Sequence, residues 1–278
     1  MIAIGSEIAS AHINPLGAEL CSLRDASGHE YLWQAGPAWP RHSPVLFPIV
    51  GQVNNDTLHV SGQKYHMGRH GFARDRAFAP VTVAPGHASF VLTDDATTRK
   101  IYPFAFRLTL DYRLTAKGLR LTYIVENPGT TPLPFSLGAH PAWNWPQPKD
   151  AQRLIFDQPE PAPIRRLADG LLAPELHPTP IHGRDLPLSD ALFVDDALIL
   201  DQVASRGVQF AGLHVSWCDA MPFLGIWSKP GSDFLCIEPW AGHSDPVGYT
   251  GEFKDKPGVV VLAPGGRSEF WWEVALLS

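Results

Sequence analysis

The stretch Phe106-Arg107-Leu108-Thr109-Leu110-Asp111-Tyr112-Arg113-Leu114 alternates apolar and polar residues without a break. Alternation puts every second side chain on one face of an extended strand, whereas an amphipathic helix needs apolar residues every three or four positions. After a turn at Lys117-Gly118 the rhythm resumes through Leu119, Leu121, Tyr123 and Val125. This predicts an antiparallel pair with one wet face and one buried face. Helices have little room elsewhere, because 27 Pro and 24 Gly punctuate the 278 residues as turns. The one good helix candidate in this region is short, Asp95 to Ile101, and Pro103 stops it.

Other short strands read the same way. Residues 2–34 form a hairpin series: Ile2 to Ile4, Ile8 to Ile13, Ala18 to Leu23, then Tyr31 to Trp33. Ser61-Gly62 marks the turn of a hairpin over Leu58 to Tyr65. Strands are expected at Arg153 to Phe156, Val208 to Trp217, Phe223 to Trp227, Phe234 to Glu238, Val259 to Leu262 and Phe270 to Leu277. The proline-rich stretch 144–190 reads as loops draped over one end. With 45% hydrophobic residues, nine Trp and 14 Phe, a large core is available. The expected fold is all-β: a large antiparallel β-sandwich spanning residues 1–278 as a single domain.

The net charge of −6, with no basic run, excludes nucleic acid and anionic membrane as partners. Cys21, Cys218 and Cys236 are odd in number and too widely spaced for a zinc motif, which suits buried free thiols in a reducing compartment. His66 and His70 have a helical metal-ligand spacing, but Gly68 and Gly71 make the segment a loop, so no metal is expected. The N-terminus lacks a basic region followed by a long apolar one. No window of about 18 apolar residues occurs, and a soluble cytoplasmic protein, monomer or homodimer, is the expectation.

Two stretches carry the chemistry. Phe135-Ser136-Leu137-Gly138-Ala139-His140-Pro141-Ala142-Trp143 sets one imidazole among apolar residues, and Leu235-Cys236-Ile237-Glu238-Pro239-Trp240 repeats the pattern with a carboxylate. Each proline pushes the preceding residue into an extended conformation, giving His140 and Glu238 a defined direction. Taken singly, a His or Glu before Pro is more often a satisfied strand end than a catalytic group. Arg41 and His42 sit at the mouth of the apolar run Pro44 to Gly51. In Arg69-His70-Gly71-Phe72-Ala73-Arg74, basic side chains flank a glycine that permits close approach of backbone to a ligand. Asp195 and Asp196 follow Leu192-Phe193-Val194, and either carboxylate could accept hydrogen bonds in a pocket.

Side by side, these stretches resemble the aldose 1-epimerase (mutarotase) superfamily, in particular its LacX-like branch and the related hexose-6-phosphate epimerases. The resemblance implies a β-sandwich of the galactose mutarotase type that binds a small-molecule sugar in an open cleft, with no metal or organic cofactor. It also implies that His140 matches the general acid and Glu238 the general base. His70 then resembles the second substrate-binding histidine, Arg74 the arginine holding a hydroxyl or a 6-phosphate, and Asp196, or Asp195, the substrate-binding aspartate. The chain departs from the galactose-specific pattern where it continues Pro141-Ala142-Trp143 and Pro239-Trp240, and from the phosphate-specific one at Arg41-His42-Ser43.

Interconverting anomers means taking the proton from O1 and giving one to the ring oxygen. The expected arrangement is an ionised Glu238 and an imidazolium at His140 on opposite sides of the sugar. Arg41 is expected to contact it at the rim, and Trp143 and Trp240 to pack on its apolar face, with Phe47 a candidate for the floor or for core filling. The rivals are a non-catalytic carbohydrate-binding module and a lyase or glycosidase recruiting Tyr249 and Glu252.

Overall fold

The alternating stretch forms strands Arg107–Leu114 and Gly118–Glu126, whose residues alternate between buried and partly exposed as the pattern requires. In the computed structural model, which describes residues 1–277, both lie within a nine-stranded antiparallel sheet. Its order runs from Asp185–Pro187 through Arg153–Phe156, Gly207–Phe210, Leu213–Trp217, Arg267–Leu276, Gly118–Glu126, Arg107–Leu114 and His87–Thr93 to Ala79–Ala84. A five-stranded sheet is built on Phe234–Ala241, which pairs with Leu137–Gly138 and Ala142–Asn144 on one side and Phe223–Trp227 on the other. Strand Leu198–Leu200 completes it. Leu110, Leu121 and Trp272 of the large sheet share one buried cluster with Leu224, Ile226 and Ile237 of the smaller one. That shared apolar layer makes the molecule a β-sandwich.

The smaller sheet positions the site. Along Phe234–Ala241 every residue is buried, as expected of a strand covered on both faces. Leu235, Ile237 and Ala241 face the main core, whereas Phe234, Cys236 and Trp240 join separate small clusters on the other side.

Several expectations are corrected. Asp95 to Ile101 yields only a 3-10 turn at Thr98–Lys100, because Pro103 leaves too few residues to nucleate an α-helix. Asp95 Oδ1 instead accepts hydrogen bonds from the Thr97 and Thr98 amides. Val208 to Trp217 is two strands, Gly207–Phe210 and Leu213–Trp217, separated by Ala211 and Gly212 at positive φ. Tyr31 to Trp33 makes only an isolated bridge, Leu32 to Trp143. The proline-rich belt supplies the two adjacent strands at one edge of the large sheet, Asp185–Pro187 and Arg153–Phe156, and Leu167 reaches the cleft described below. Among the described residues no helix is long and apolar enough to cross a membrane.

Candidate active site

The outer face of the smaller sheet floors a cleft of about 200 Å³, lined by His70, Arg74, His140, Asp196, Glu238 and Trp240 together with Trp39, Arg69 and Trp227. Strand parity explains its membership. Glu238 and Trp240 project from one face of Phe234–Ala241, and Gly225 pairs directly with Glu238. A Cβ on Gly225 would lie 2.3 Å from the Trp240 ring, so the indole needs a glycine beneath it.

His140 and Glu238 are neighbours: His140 Nε2 stands 3.4 Å from Glu238 Oε2, with both side chains nearly inaccessible at 8% and 2% exposure. They share one wall rather than facing each other across a sugar. The imidazole is boxed by rings, stacked on Trp39 at 4.9 Å and meeting His70 and Trp227 edge-on.

This burial changes the expected charge state. It pushes His140 down to about 3; a hydrogen bond to backbone opposes this, and Arg74, Arg69 and Arg41 each add a smaller downward push. Burial first, and then Asp196, holds Glu238 well above the usual carboxylate range. Burial thus disfavours the charged form of each group, the imidazolium of His140 and the carboxylate of Glu238, because taking an ion out of water costs several kcal/mol.

His70 is held by a reciprocal clamp. Its amide donates to the Gly51 carbonyl at 2.7 Å, and the Gly51 amide donates to His70 Nδ1 at 3.1 Å. An Nδ1 that accepts leaves the proton on Nε2, so the ring offers an N–H donor. Burial first, with smaller effects from the neighbouring His140 and from Arg74, Arg69 and Arg41, lowers the His70 pKa well below 6.5. The neighbouring glycine serves the fold rather than a ligand. Gly71 has φ +71°, and its missing Cβ would sit 2.3 Å from the Phe47 carbonyl oxygen, which accepts the Phe72 and Ala73 amides.

Arg74 donates to the Arg69 carbonyl at 2.7 Å, while its buried Nε makes no hydrogen bond and stands 3.8 Å from Asp75 Oδ2. Burial lowers this guanidinium to about 10. Asp196 lines the cleft 3.7 Å from Arg69, whereas Asp195 lies outside it in a separate depression that Arg166 also lines.

Two expected site residues are elsewhere. Trp143 is fully buried in the main core, edge-on to Trp272. Three positions after His140 on an extended chain reverses the face, and it is Ala142 that points to the cleft side. Arg41 does not line the cleft, because Asp75 holds its guanidinium at 2.8 Å. Phe47 belongs to the main core. Sequence reasoning missed Trp39, Arg69, Trp227 and Ser244. Trp227 was accessible from the alternation Phe223, Gly225, Trp227. Trp39 lies in a loop, where no periodicity points to it.

The architecture is therefore that of a β-sandwich protein whose cleft holds the buried His140–Glu238 pair among aromatic and polar side chains. The chain belongs to the aldose 1-epimerase family, whose model matches residues 1–273. It is 32% identical to Protein LacX, plasmid, of Lactococcus lactis subsp. lactis over 298 aligned positions, covering 100% of this chain and 99% of the relative. Among solved structures it resembles a galactose mutarotase-like protein from Lactobacillus casei ATCC 334, with a TM-score of 0.93 and 30% identity over 99% of both chains. A galactose mutarotase related enzyme from Lactobacillus acidophilus gives a TM-score of 0.90 at 33% identity, over 99% of this chain and 97% of that one. Family membership supports an epimerase activity.

Proposed function

We propose that the protein interconverts the α and β anomers of a hexose or related aldose by acid–base ring opening and reclosure. The observation that carries this reading is the 3.4 Å approach of His140 Nε2 to Glu238 Oε2 at the cleft floor. O1 and the ring oxygen are bonded to the same carbon, so an acid and a base side by side suit them better than two groups far apart. The neutral pair holds one transferable proton. Sugar hydroxyls entering the wall would help stabilise a carboxylate, and the proton passes from Glu238 to His140. Glu238 then takes the O1 proton while His140 gives its proton to O5. After rotation about C1–C2 the transfers reverse and the ring closes on the other face, leaving the pair unchanged. Each positioned proton transfer is typically worth about 10²- to 10⁴-fold.

In this reading His70 Nε2–H and Arg69 donate to sugar oxygens, Asp196 accepts from a hydroxyl, and Trp240 and Trp227 cover the apolar ring face. A second reading, restriction to hexose 6-phosphates, is favoured by one observation: the buried Arg74 Nε makes no hydrogen bond, with Asp75 Oδ2 standing 3.8 Å away, and a phosphate oxygen at closer range would supply one. Anomer exchange measured by polarimetry or NMR with glucose, galactose and glucose 6-phosphate tests both. Acceleration of the neutral sugars supports the first reading, and acceleration of the phosphorylated one alone supports the second. Sugar binding without acceleration would instead make the cleft a carbohydrate-binding module.

A further inference from the structure

Cys236 is two residues before Glu238 on the same face of Phe234–Ala241, and it pairs across the sheet with Ala142, two residues after His140. One ligand atom from each of His140, Cys236 and Glu238 lies within 4.8 Å of the others, and all three residues are buried. None of the cysteine spacings announces this, because the donors come from two segments joined only by strand pairing.

We propose that these three side chains form an inhibitory site for a soft divalent cation of the zinc class. Two ligands about 2.0–2.1 Å from a tetrahedral zinc ion stand about 3.4 Å apart, and His140 Nε2 and Glu238 Oε2 are separated by 3.4 Å. A sulfur ligand at about 2.3 Å would lie about 3.6 Å from the nitrogen, so a side-chain shift of about 1 Å completes the set. Imidazole, thiolate and carboxylate together suit zinc or cobalt better than magnesium or calcium, which favour all-oxygen sets. Two of the three ligands, His140 and Glu238, line the cleft. Binding releases the thiol proton and the proton held by the His140–Glu238 pair to solvent. It also occupies both groups that ring opening needs, which makes the cation an inhibitor rather than a cofactor. The inhibitory consequence rests on the function proposed above, but the binding itself does not.

The test is a titration of metal-free protein with Co²⁺, read by thiolate-to-cobalt charge-transfer absorption. The wild type is expected to take up one equivalent with that band. Cys236→Ser should abolish the band and weaken binding at least about tenfold. Glu238→Gln, which keeps the thiol, should keep the band and weaken binding by at least a similar factor, since even outer-sphere partners of a metal ligand are worth about 10- to 100-fold. Cys21→Ser controls for the separate group Glu19, Cys21 and His42 and should change nothing. A wild type without the band, or a band that survives Cys236→Ser, overturns the proposal. In the activity arm, Zn²⁺ should slow wild-type anomer exchange, and Cys236→Ser should need at least about tenfold more Zn²⁺ for the same effect. Absence of exchange from every aldose would refute the proposed function and leave the Co²⁺ result standing.

Discussion

His140 Nε2 and Glu238 Oε2 are 3.4 Å apart in the lining of the cleft, and both side chains are nearly inaccessible. The proposed reaction requires this pair to carry one proton, and burial widens the pH range over which it does. Adding a second proton means charging an imidazole whose pKa has fallen from 6.5 to about 3. Removing the only one means ionising a carboxyl held well above its usual range. The pH profile of kcat/KM should therefore stay flat through 6.5 and fall on the acid side only far below it. An acid limb with its midpoint near 6.5 would contradict this.

The two faces of the smaller sheet predict opposite phenotypes for similar residues. Trp143→Phe loosens the main core beside Trp272 and should lower stability by about 1–3 kcal/mol, with exchange per folded molecule unchanged. Trp227→Ala removes a cleft wall and should raise KM several-fold with a smaller effect on stability. Thermal denaturation and exchange kinetics measured on both variants check the contrast.

Gly225 seats the Trp240 indole, with 2.3 Å between its would-be Cβ and the ring. Gly225→Ala should push the indole into the cleft, change its fluorescence and reduce kcat/KM by about tenfold or more, because small misplacements at a reacting centre are costly. Unchanged fluorescence and kinetics would show that the indole does not depend on this seat.

Behind the cleft, Lys256 Nζ and Asp245 Oδ1 are 3.0 Å apart with almost no exposure. Asp245 Oδ2 also accepts the Asn54 amide, and the adjacent Ser244 hydroxyl accepts the Gln52 amide beside Gly51. Asp245→Ala leaves a buried ammonium without its partner and should destabilise the protein by about 3–5 kcal/mol. Denaturant unfolding measures this, and Lys256→Met in the same chain should recover part of the loss.

Strand content was legible because apolar alternation is a local property: Arg153–Phe156 and the hairpin around Ser61-Gly62 appear where the pattern puts them. The gathering of His70, Arg74, His140, Asp196, Glu238 and Trp240 around one cleft was anticipated through family resemblance, since no local pattern links segments so far apart. Trp143 was misplaced although parity with His140 already puts it on the other face. Arg41 was misplaced because its partner Asp75 is 34 residues away. The protonation state of the central pair was not readable at all, since it depends on burial created by Trp39, His70 and Trp227 together.

The most direct test of the account is anomer exchange in His140→Ala and Glu238→Gln, followed by NMR on the aldose that the wild type turns over fastest. Both variants should stay folded, bind the sugar, and lose exchange by about 10²-fold or more. Wild-type exchange rates in both would contradict the account.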